Sequence, residues 1–307
     1  MIIKKKAVLY AIVAPIILGV LFLAPKVGAA AEVLTITPTT ATPVINPGAT
    51  YSGNFQVIDQ GNTSYPIEIY AAPYSVKTEA YTPDFTPVPG QPNVVNWIRF
   101  SSTQSTIQPN QAITVTYTIS VPKTTQPGGY YAVAFAQTHS SQSAAGVVIN
   151  ERVGEIFYIQ VAGPVLKSGK LLTWSTALFQ VPPIISTIRL EDDGGLNYAS
   201  NIQVVVGDIF GTPKYTLTTQ KEILPHTIRR ITINWAQTPS LGLFKVNGSV
   251  TVLGKTELLP SQYVLVMSST ARSASLIIVI IIVALIIFVY LAKRTRRSKY
   301  SKLNTKK

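Results

Sequence analysis

Apolar and polar side chains alternate with a period of two along much of residues 32–267. The clearest run begins at Ile113 and ends at Val121, where every second residue is apolar and the residues between are Thr or Ser. Successive side chains of a strand point to opposite faces of a sheet, so this pattern is typical of a strand with one buried and one solvated face. No stretch of the segment shows the 3.6-residue period of an amphipathic helix. The segment is therefore predicted to consist of β-strands.

The same signal predicts seven further strands, at residues 51–58, 67–70, 130–136, 155–161, 202–206, 230–235 and 246–253. Turn-forming clusters such as Asn46-Pro-Gly48 and Asp193-Gly-Gly195 separate them. Parallel sheets would need helical crossovers, which the pattern lacks. We therefore predict an all-β fold of two tandem Ig-like antiparallel β-sandwiches, at residues 32–163 and 164–269, plus one C-terminal transmembrane helix.

The transmembrane helix is predicted at residues 274–292, a strongly apolar segment without a charged residue. At about 1.5 Å per residue it spans roughly the thickness of a hydrocarbon core. Many Lys and Arg residues follow it in the tail 293–307, whereas only Arg272 lies just before it, so the positive-inside rule places the tail in the cytoplasm. Residues 259–263 lack the Thr and Gly of a wall-sorting motif, which favours retention in the membrane.

The N-terminus is typical of an export signal. Three lysines precede an apolar stretch at residues 7–23, and Ala29 and Ala31 form an A-x-A cleavage pattern. We predict a signal peptide at residues 1–31, which makes Glu32 the first mature residue. An uncleaved anchor helix is the alternative, and in both cases the following domain lies outside the cell. The expected location is the cell membrane, crossed once, with a large extracellular region.

The net charge of +13 arises at the two ends of the chain. Of the 26 Lys and Arg residues, four lie in the signal segment and eight in the tail, and all 13 acidic residues lie between. The region between is almost neutral, so the composition does not indicate a nucleic-acid partner. The chain has no cysteine, which favours a bacterial or archaeal surface protein.

The residue types of common catalytic sites are sparse. Only His139 and His226 could act as neutral-pH bases, and they fall in different predicted domains. No serine nucleophile motif or nucleotide-binding loop is present. Neither an enzymatic activity nor a cofactor is expected.

An acidic cluster has two interpretations, a calcium site with oxygen ligands or a solvated β-turn. The turn is favoured because the spacing of a calcium-binding loop is absent. The residues concerned are Glu191, Asp192, Asp193 and, from a later strand, Asp208.

Tyrosines are the best candidates for recognition of a ligand. Tyr65, Tyr70, Tyr74 and Tyr81 lie in the Pro-rich stretch 65–92. Exposed tyrosines stack on sugars or pack on proteins. We select Tyr74 and Tyr81 as ligand-binding candidates. The three tryptophans are expected in core or sheet-packing positions, as is usual in sandwiches; they are Trp97, Trp174 and Trp235.

Several sequence pieces resemble one family, the WxL-interacting surface proteins of Gram-positive and related bacteria. The matching pieces include Trp97-Ile-Arg-Phe100, Gln126-Pro-Gly-Gly-Tyr-Tyr-Ala-Val-Ala-Phe135, Gly207-Asp-Ile-Phe-Gly211 and Leu241-Gly-Leu-Phe244. The resemblance implies a peptidoglycan-binding-like Ig domain followed by a host-binding-like one. It also supplies the expected ligand class, peptidoglycan or a partner surface protein.

The leading hypothesis is a membrane-anchored adhesion or envelope-scaffold protein that binds peptidoglycan or another surface protein. The alternative is a chaperone-like module that pairs through an open sheet edge with a strand of another surface protein. An enzyme of unrecognised type is the third and weakest hypothesis.

Overall fold

The computed structural model describes residues 34–139 and 150–304, with side chains as far as residue 290. The predicted signal peptide lies outside these residues. The first part contains β1 to β12, and a single 3-10 turn, Val94–Trp97, precedes β8. The strands are β1 Leu34–Thr37, β2 Thr40–Ala41, β3 Val44–Ile45, β4 Thr50–Asp59, β5 Tyr65–Pro73, β6 Ser75–Val76, β7 Pro83–Asp84, β8 Ile98–Phe100, β9 Gln104–Ile107, β10 Ala112–Ser120, β11 Gly128–Thr138 and β12 Arg152–Val161.

The second part contains eight strands and the C-terminal helix. Its elements are β13 Gly169–Thr176, β14 Phe179–Gln180, β15 Ile184–Asp192, β16 Tyr198–Asp208, β17 Pro213–Ile223, β18 Thr227–Trp235, β19 Leu241–Val252, β20 Lys255–Met267 and α1 Ser269–Asn304. Every strand predicted from the period-two pattern is present. The all-β fold class predicted from the sequence is confirmed.

The first sandwich packs two sheets around an apolar core. One sheet has the strand order β1-β4-β10-β8, and the other has the order β2-β12-β11-β5-β9, with β3 also beside β12. In β10 the residues predicted to face inward are the less exposed ones, and Val115, Tyr117 and Ile119 are fully buried. Phe55 and Phe157 fill the centre on either side of Tyr117.

The second sandwich repeats this plan with sheets β13-β15-β18 and β14-β20-β19-β16-β17. Its core contains Trp235, which stacks on Tyr215 and meets Phe244 edge-on. Trp97 is buried in the first core, as expected. Trp174 is half-buried on a sheet edge, where its Nε1 donates to the carbonyl of Pro260 at 2.9 Å.

Both sandwiches depart in one respect from a purely antiparallel arrangement. Near the start of each domain the chain crosses from one sheet to the other, and the short strands after the crossing pair in parallel with the last strand of the domain. Thus β2 and β3 lie beside β12, and β14 lies beside β20. The crossing shields part of a sheet edge that would otherwise be open.

Helix α1 follows the second sandwich directly. Within the described residues it is the one helix long and apolar enough to cross a membrane, judged by length and composition, and the candidate span is Ser269–Tyr290. The predicted span, 274–292, overlaps it closely.

Candidate binding site at the domain junction

A hairpin of the first domain reaches across to the second. Strands β6 and β7 pair as Ser75 with Asp84 and Val76 with Pro83, and the turn between them is closed by the amide of Tyr81 donating to the carbonyl of Thr78 at 2.8 Å. Tyr81 adopts a φ of 59° in this turn. That left-handed conformation is uncommon for a non-glycine residue and indicates a position fixed by its surroundings.

The Tyr81 side chain is held by the second domain. It is only 8% exposed, and its hydroxyl accepts a hydrogen bond from the Leu224 amide at 2.8 Å. The same hydroxyl lies 2.5 Å from Thr227 Oγ1. The guanidinium of Arg229 sits 4.2 Å from the centre of the Tyr81 ring, within the range of a cation–π contact. Burial raises the pKa of the Tyr81 phenol, so the ring stays neutral at physiological pH.

Glu79, two residues earlier, joins the same hairpin to two arginines. Its carboxylate accepts a bidentate pair of hydrogen bonds from Arg189 and further bonds from Arg230, the latter at 2.9 and 3.2 Å. Its backbone carbonyl accepts the amide of Arg230 at 2.7 Å and so covers part of the outer edge of β18. The hydrogen bond from Arg189 is the main reason why the pKa of Glu79 lies below its ordinary value.

A second polar contact joins the domains through Tyr131. Its hydroxyl donates to Asn197 Oδ1 and accepts from the Asn197 amide, both at 3.1 Å. The amide of Gly129 donates to the carbonyl of Gly195 at 2.9 Å. Tyr158, Tyr81 and Leu224 are buried together in one cluster that spans the junction.

Beside these contacts lies a cleft of about 520 Å³ between the two domains. The first domain contributes Tyr74, Tyr130 and several prolines, and the second contributes the turn at residues 224–227. Tyr74 lies near Phe85 and meets Tyr158 edge-on, both at 6.4 Å between ring centres. Concave, largely apolar walls with a few polar groups are typical of ligand sites.

The two tyrosines predicted to bind a ligand therefore occupy different surroundings. Tyr74 is half-buried and lines the cleft, and burial raises its pKa. Tyr81 is buried in the junction, where its hydroxyl already has two protein partners. The ligand role stays a prediction for both, and Tyr74 is the one whose ring borders open space.

The other candidates from the sequence lie apart. His139 is 3.0 Å from Glu68 in the first domain, whereas His226, with a φ of 58°, borders the cleft. Asp208 accepts the amide of Thr212 and pairs with Lys214 at the far end of the second domain. In the described ranges no group of three or more His, Asp or Glu side chains could hold a metal ion.

Lys170 joins two members of the acidic cluster, at 2.8 Å from Glu191 and 3.3 Å from Asp193. Asp192 is buried and accepts the amide of Gly194 at 2.8 Å. Burial raises the pKa of Asp192 to about 6. The turn favoured from the sequence was a solvated one, whereas here Lys170 pairs with two of its carboxylates and Asp192 is buried.

Four polar residues of the junction were not predicted from the sequence: Glu79, Arg189, Arg230 and Asn197. Each is an ordinary polar residue on a loop or strand, and its partner lies far away in the chain. Arg189 and Glu79, for example, are 110 residues apart. No local pattern signals such a pair.

Comparison with known proteins gave structural likenesses only. No protein-family model and no curated protein matches the chain. Among solved structures, a chaperone–tip adhesin complex of CFA/I fimbriae has a TM-score of 0.38 at 10% identity, covering 77% of this chain and 100% of that one. The Salmonella enterica SafA pilin in complex with the SafB chaperone also gives 0.38, at 8% identity over 78% and 98% of the two chains.

A third likeness is the CsuC–CsuE chaperone–tip adhesion subunit complex of Acinetobacter baumannii, with a TM-score of 0.37 and 13% identity over 77% of this chain and 99% of that one. A PapD-like domain of human CEP192 covers 46% of this chain, with 15% identity and a TM-score of 0.32. At these scores the likenesses are too distant to assign a ligand or a partner.

Proposed function

We propose that this chain is a non-enzymatic, membrane-anchored surface protein whose second sandwich binds another protein by pairing with the open edge of β17. The main observation in support is that β17 has a strand partner on one side only, along its whole length. It pairs with β16 from Ile223 opposite Tyr198 to Pro213 opposite Gly207. No other described strand pairs with it.

The open edge has the length and composition that strand addition needs. Its 11 residues are far more than the three or four of the edge strands β8, β9 and β1. Between Lys214 and Lys221 it carries no charge, and three of its six residues there are Thr. Threonine favours strands, and about half of the backbone N–H and C=O groups of an edge strand point away from its neighbour.

The other long edges, on β13 and β18, are shorter and are each partly covered. The side chain of Trp174 on β13 is bonded to Pro260, and Gln262 Nε2 donates to the carbonyl of Trp174 at 3.0 Å. On the outer edge of β18, the Arg230 amide donates to the Glu79 carbonyl. In the described part of the chain, β17 is therefore the edge best able to receive a strand from another protein.

A photo-crosslinking residue in place of Thr218, in the full chain expressed in its own cells, tests this proposal. Thr218 is exposed on β17, and Thr256, exposed on the hairpin between β19 and β20, is the matched control position. We expect one discrete protein adduct from Thr218 and none of that size from Thr256. Lysines placed at Thr216 and at a second edge position, Gln220, should abolish the adduct, because charges on an edge strand oppose pairing. An adduct that survives both lysines, or none at all, refutes strand pairing at this edge.

The proposed location is the cell membrane, crossed once by α1, with both sandwiches outside. The apolar span and the basic residues that follow it support this orientation. Protease added to intact cells should remove the sandwiches and leave a small membrane-bound fragment. Complete protection of the sandwiches in intact cells, with cleavage after lysis, contradicts this orientation.

Peptidoglycan binding in the junction cleft is the second candidate function, in keeping with the resemblance to WxL-interacting proteins. The Tyr74 ring at the cleft wall favours it. The full chain in detergent should then be retained on purified peptidoglycan, and Tyr74→Ala should reduce retention about tenfold, as loss of an aromatic contact does. Tyr263→Ala, a half-exposed tyrosine on β20, is the control and should change little. Equal retention of both variants excludes the cleft as the glycan site.

A further inference from the structure

The end of the second domain nearest to α1 is joined to the helix without a flexible linker. Strand β20 ends at Met267 and α1 begins at Ser269. The Ser268 amide donates to the Ser240 carbonyl at 2.7 Å, and the Ser268 hydroxyl accepts the Ala271 amide at 3.1 Å, as an N-cap does. Ser268 thus ties the start of the helix to the loop before β19.

Strand register shows which other segments lie at this end. Leu241 pairs with Met267, so the start of β19 lies beside the end of β20. Asp208 pairs with Phe244, so the hairpin between β16 and β17 is at the same end. Phe179 pairs with Leu265, which brings the segment from β14 to β15 there as well.

These segments expose large apolar side chains. Phe210 at the hairpin tip is 89% exposed and Phe179 is 71% exposed. Most of the exposed large apolar residues of the second domain lie at this end. We name the following six the apolar rim: Leu178, Phe179, Val181, Ile209, Phe210 and Leu241.

The hairpin that carries Phe210 is held in place by its own hydrogen bonds. Asp208 Oδ1 accepts the amides of Phe210 and Thr212, both at 3.0 Å. The Asp208 amide donates to the Thr212 carbonyl and the Asp208 carbonyl accepts the Gly211 amide, again at 3.0 Å. Lys214 lies 3.4 Å from Asp208 Oδ2. The polar backbone groups of this turn therefore have partners within the hairpin. The turn that carries the exposed Phe210 ring is held in a fixed conformation.

The length of the span places this end at the membrane surface. The 22 residues of Ser269–Tyr290 extend about 33 Å at 1.5 Å per residue, slightly more than a hydrocarbon core of about 30 Å. The start of α1, and Met267 just before it, therefore lie at the level of the lipid headgroups. Arg272 lies one helical turn deeper, from where its long side chain can extend back to the lipid phosphates.

We propose that the apolar rim is a lipid-contact surface, with Phe210 and Ile209 inserted at the headgroup–acyl boundary of the membrane that α1 crosses. This inference rests on the proposed membrane anchoring. Aromatic and aliphatic side chains on a fixed support enter this boundary favourably. The occupant is lipid because the rim lies at the end of the domain where the span begins.

Site-specific fluorescence in the full chain tests this proposal, and the absence of native cysteine makes single labels unambiguous. The full chain carries Phe210→Cys, labelled with an environment-sensitive dye, in phosphatidylcholine–phosphatidylglycerol vesicles. Leu258→Cys is the matched control, since Leu258 is also strongly exposed, at 84%, but lies toward the other end of β20. Ile282→Cys, within the span, reports anchoring. Far-UV circular dichroism verifies that each labelled chain keeps its β-structure.

For the label at position 210 we expect a blue-shifted emission and at least twofold quenching by lipids that are brominated near the carbonyl. For the label at position 258 we expect neither change. A label at 282 that is quenched by lipids brominated deep in the acyl chain, with a label at 210 that is not quenched near the carbonyl, overturns the rim proposal while membrane anchoring stands. A label at 282 that the deeply brominated lipids leave unquenched overturns both. A blue shift at 210 without lipid quenching, dependent on the protein-to-lipid ratio, shows that a second copy covers the rim, and this also overturns the proposal.

Discussion

Aromatic side chains have opposite surroundings at the two ends of the second domain. At the end facing the first domain, Tyr81 and Tyr131 are enclosed and their hydroxyls are bonded across the junction. At the end facing α1, Phe179 and Phe210 are exposed and have no polar atom to satisfy. The chain supplies partners for the first pair, and we propose that lipid supplies them for the second. Exposure, together with position at the end nearest α1, thus separates the contacts made within the chain from the surface proposed for lipid.

The substitution with the largest expected loss of stability tests this contrast directly. Tyr81→Ala should lower the free energy of unfolding by about 3 kcal/mol, because it removes a buried ring and leaves the Leu224 amide without its acceptor. Phe210→Ala should change it by less than about 0.5 kcal/mol in detergent, as is usual for an exposed residue. Urea denaturation followed by tryptophan fluorescence measures both. A similar loss of unfolding free energy in the two variants would refute this contrast.

The core of the first domain holds an exception to the rule that buried polar groups find partners. Glu155 on β12 is fully buried, and neither carboxylate oxygen has a hydrogen-bond partner among the described residues. Burial raises its pKa to about 8, so the folded chain holds a proton there that the unfolded chain releases at a lower pH. Stability should therefore fall as the pH rises from about 4.5 through 8.

Glu155→Gln should remove this pH dependence and make the variant the more stable chain at pH 9. At pH 4 the two chains should differ little, because both are neutral at this position. Urea denaturation at pH 4 and pH 9 makes the comparison, and Glu257→Gln, an exposed glutamate on β20, is the control. An equal effect at both pH values would show that the carboxyl is not protonated by burial.

The period-two pattern was sufficient to predict the strands because it is a local signal. Val115, Tyr117 and Ile119 reveal their buried face within one strand. The parallel pairings of β2, β3 and β14 were not predicted, since two-residue strands carry no period. The junction escaped prediction for a different reason. Tyr81 contacts Leu224, which is 143 residues away in the chain, and its Pro-rich sequence surroundings are typical of an exposed loop.

A smaller loss of stability is expected when the second contact of the junction, between Tyr131 and Asn197, is removed. Tyr131→Phe keeps the ring but removes the hydroxyl that donates to Asn197 Oδ1 and accepts the Asn197 amide. Each such bond contributes about 1 kcal/mol net, so a loss of about 1 to 2 kcal/mol is expected. Tyr263→Phe, with an exposed ring on β20, is the control in the same denaturation experiment. A loss below that of the control would mean that water replaces the bonds without cost.

The smallest effect concerns Glu79, whose partners are partly exposed. Because the Arg189 hydrogen bond lowers its pKa in the folded chain, its contribution is present above the ordinary pKa of a glutamate and is lost as the pH falls through the lowered value. Glu79→Gln should therefore loosen the junction at pH 7 and change it progressively less as the pH falls through that lowered value.

Hydrogen exchange of the Arg230 amide measures this loosening, since that amide donates to the Glu79 carbonyl. We expect the ratio of exchange rates, variant over native, to be severalfold at pH 7 and to approach one at the acid pH where the Glu79 carboxylate is protonated. Glu257→Gln should give a ratio near one at both. A ratio for Glu79→Gln that is the same at the two pH values would mean that the backbone contact, and not the charge on the carboxylate, holds the hairpin against the second domain.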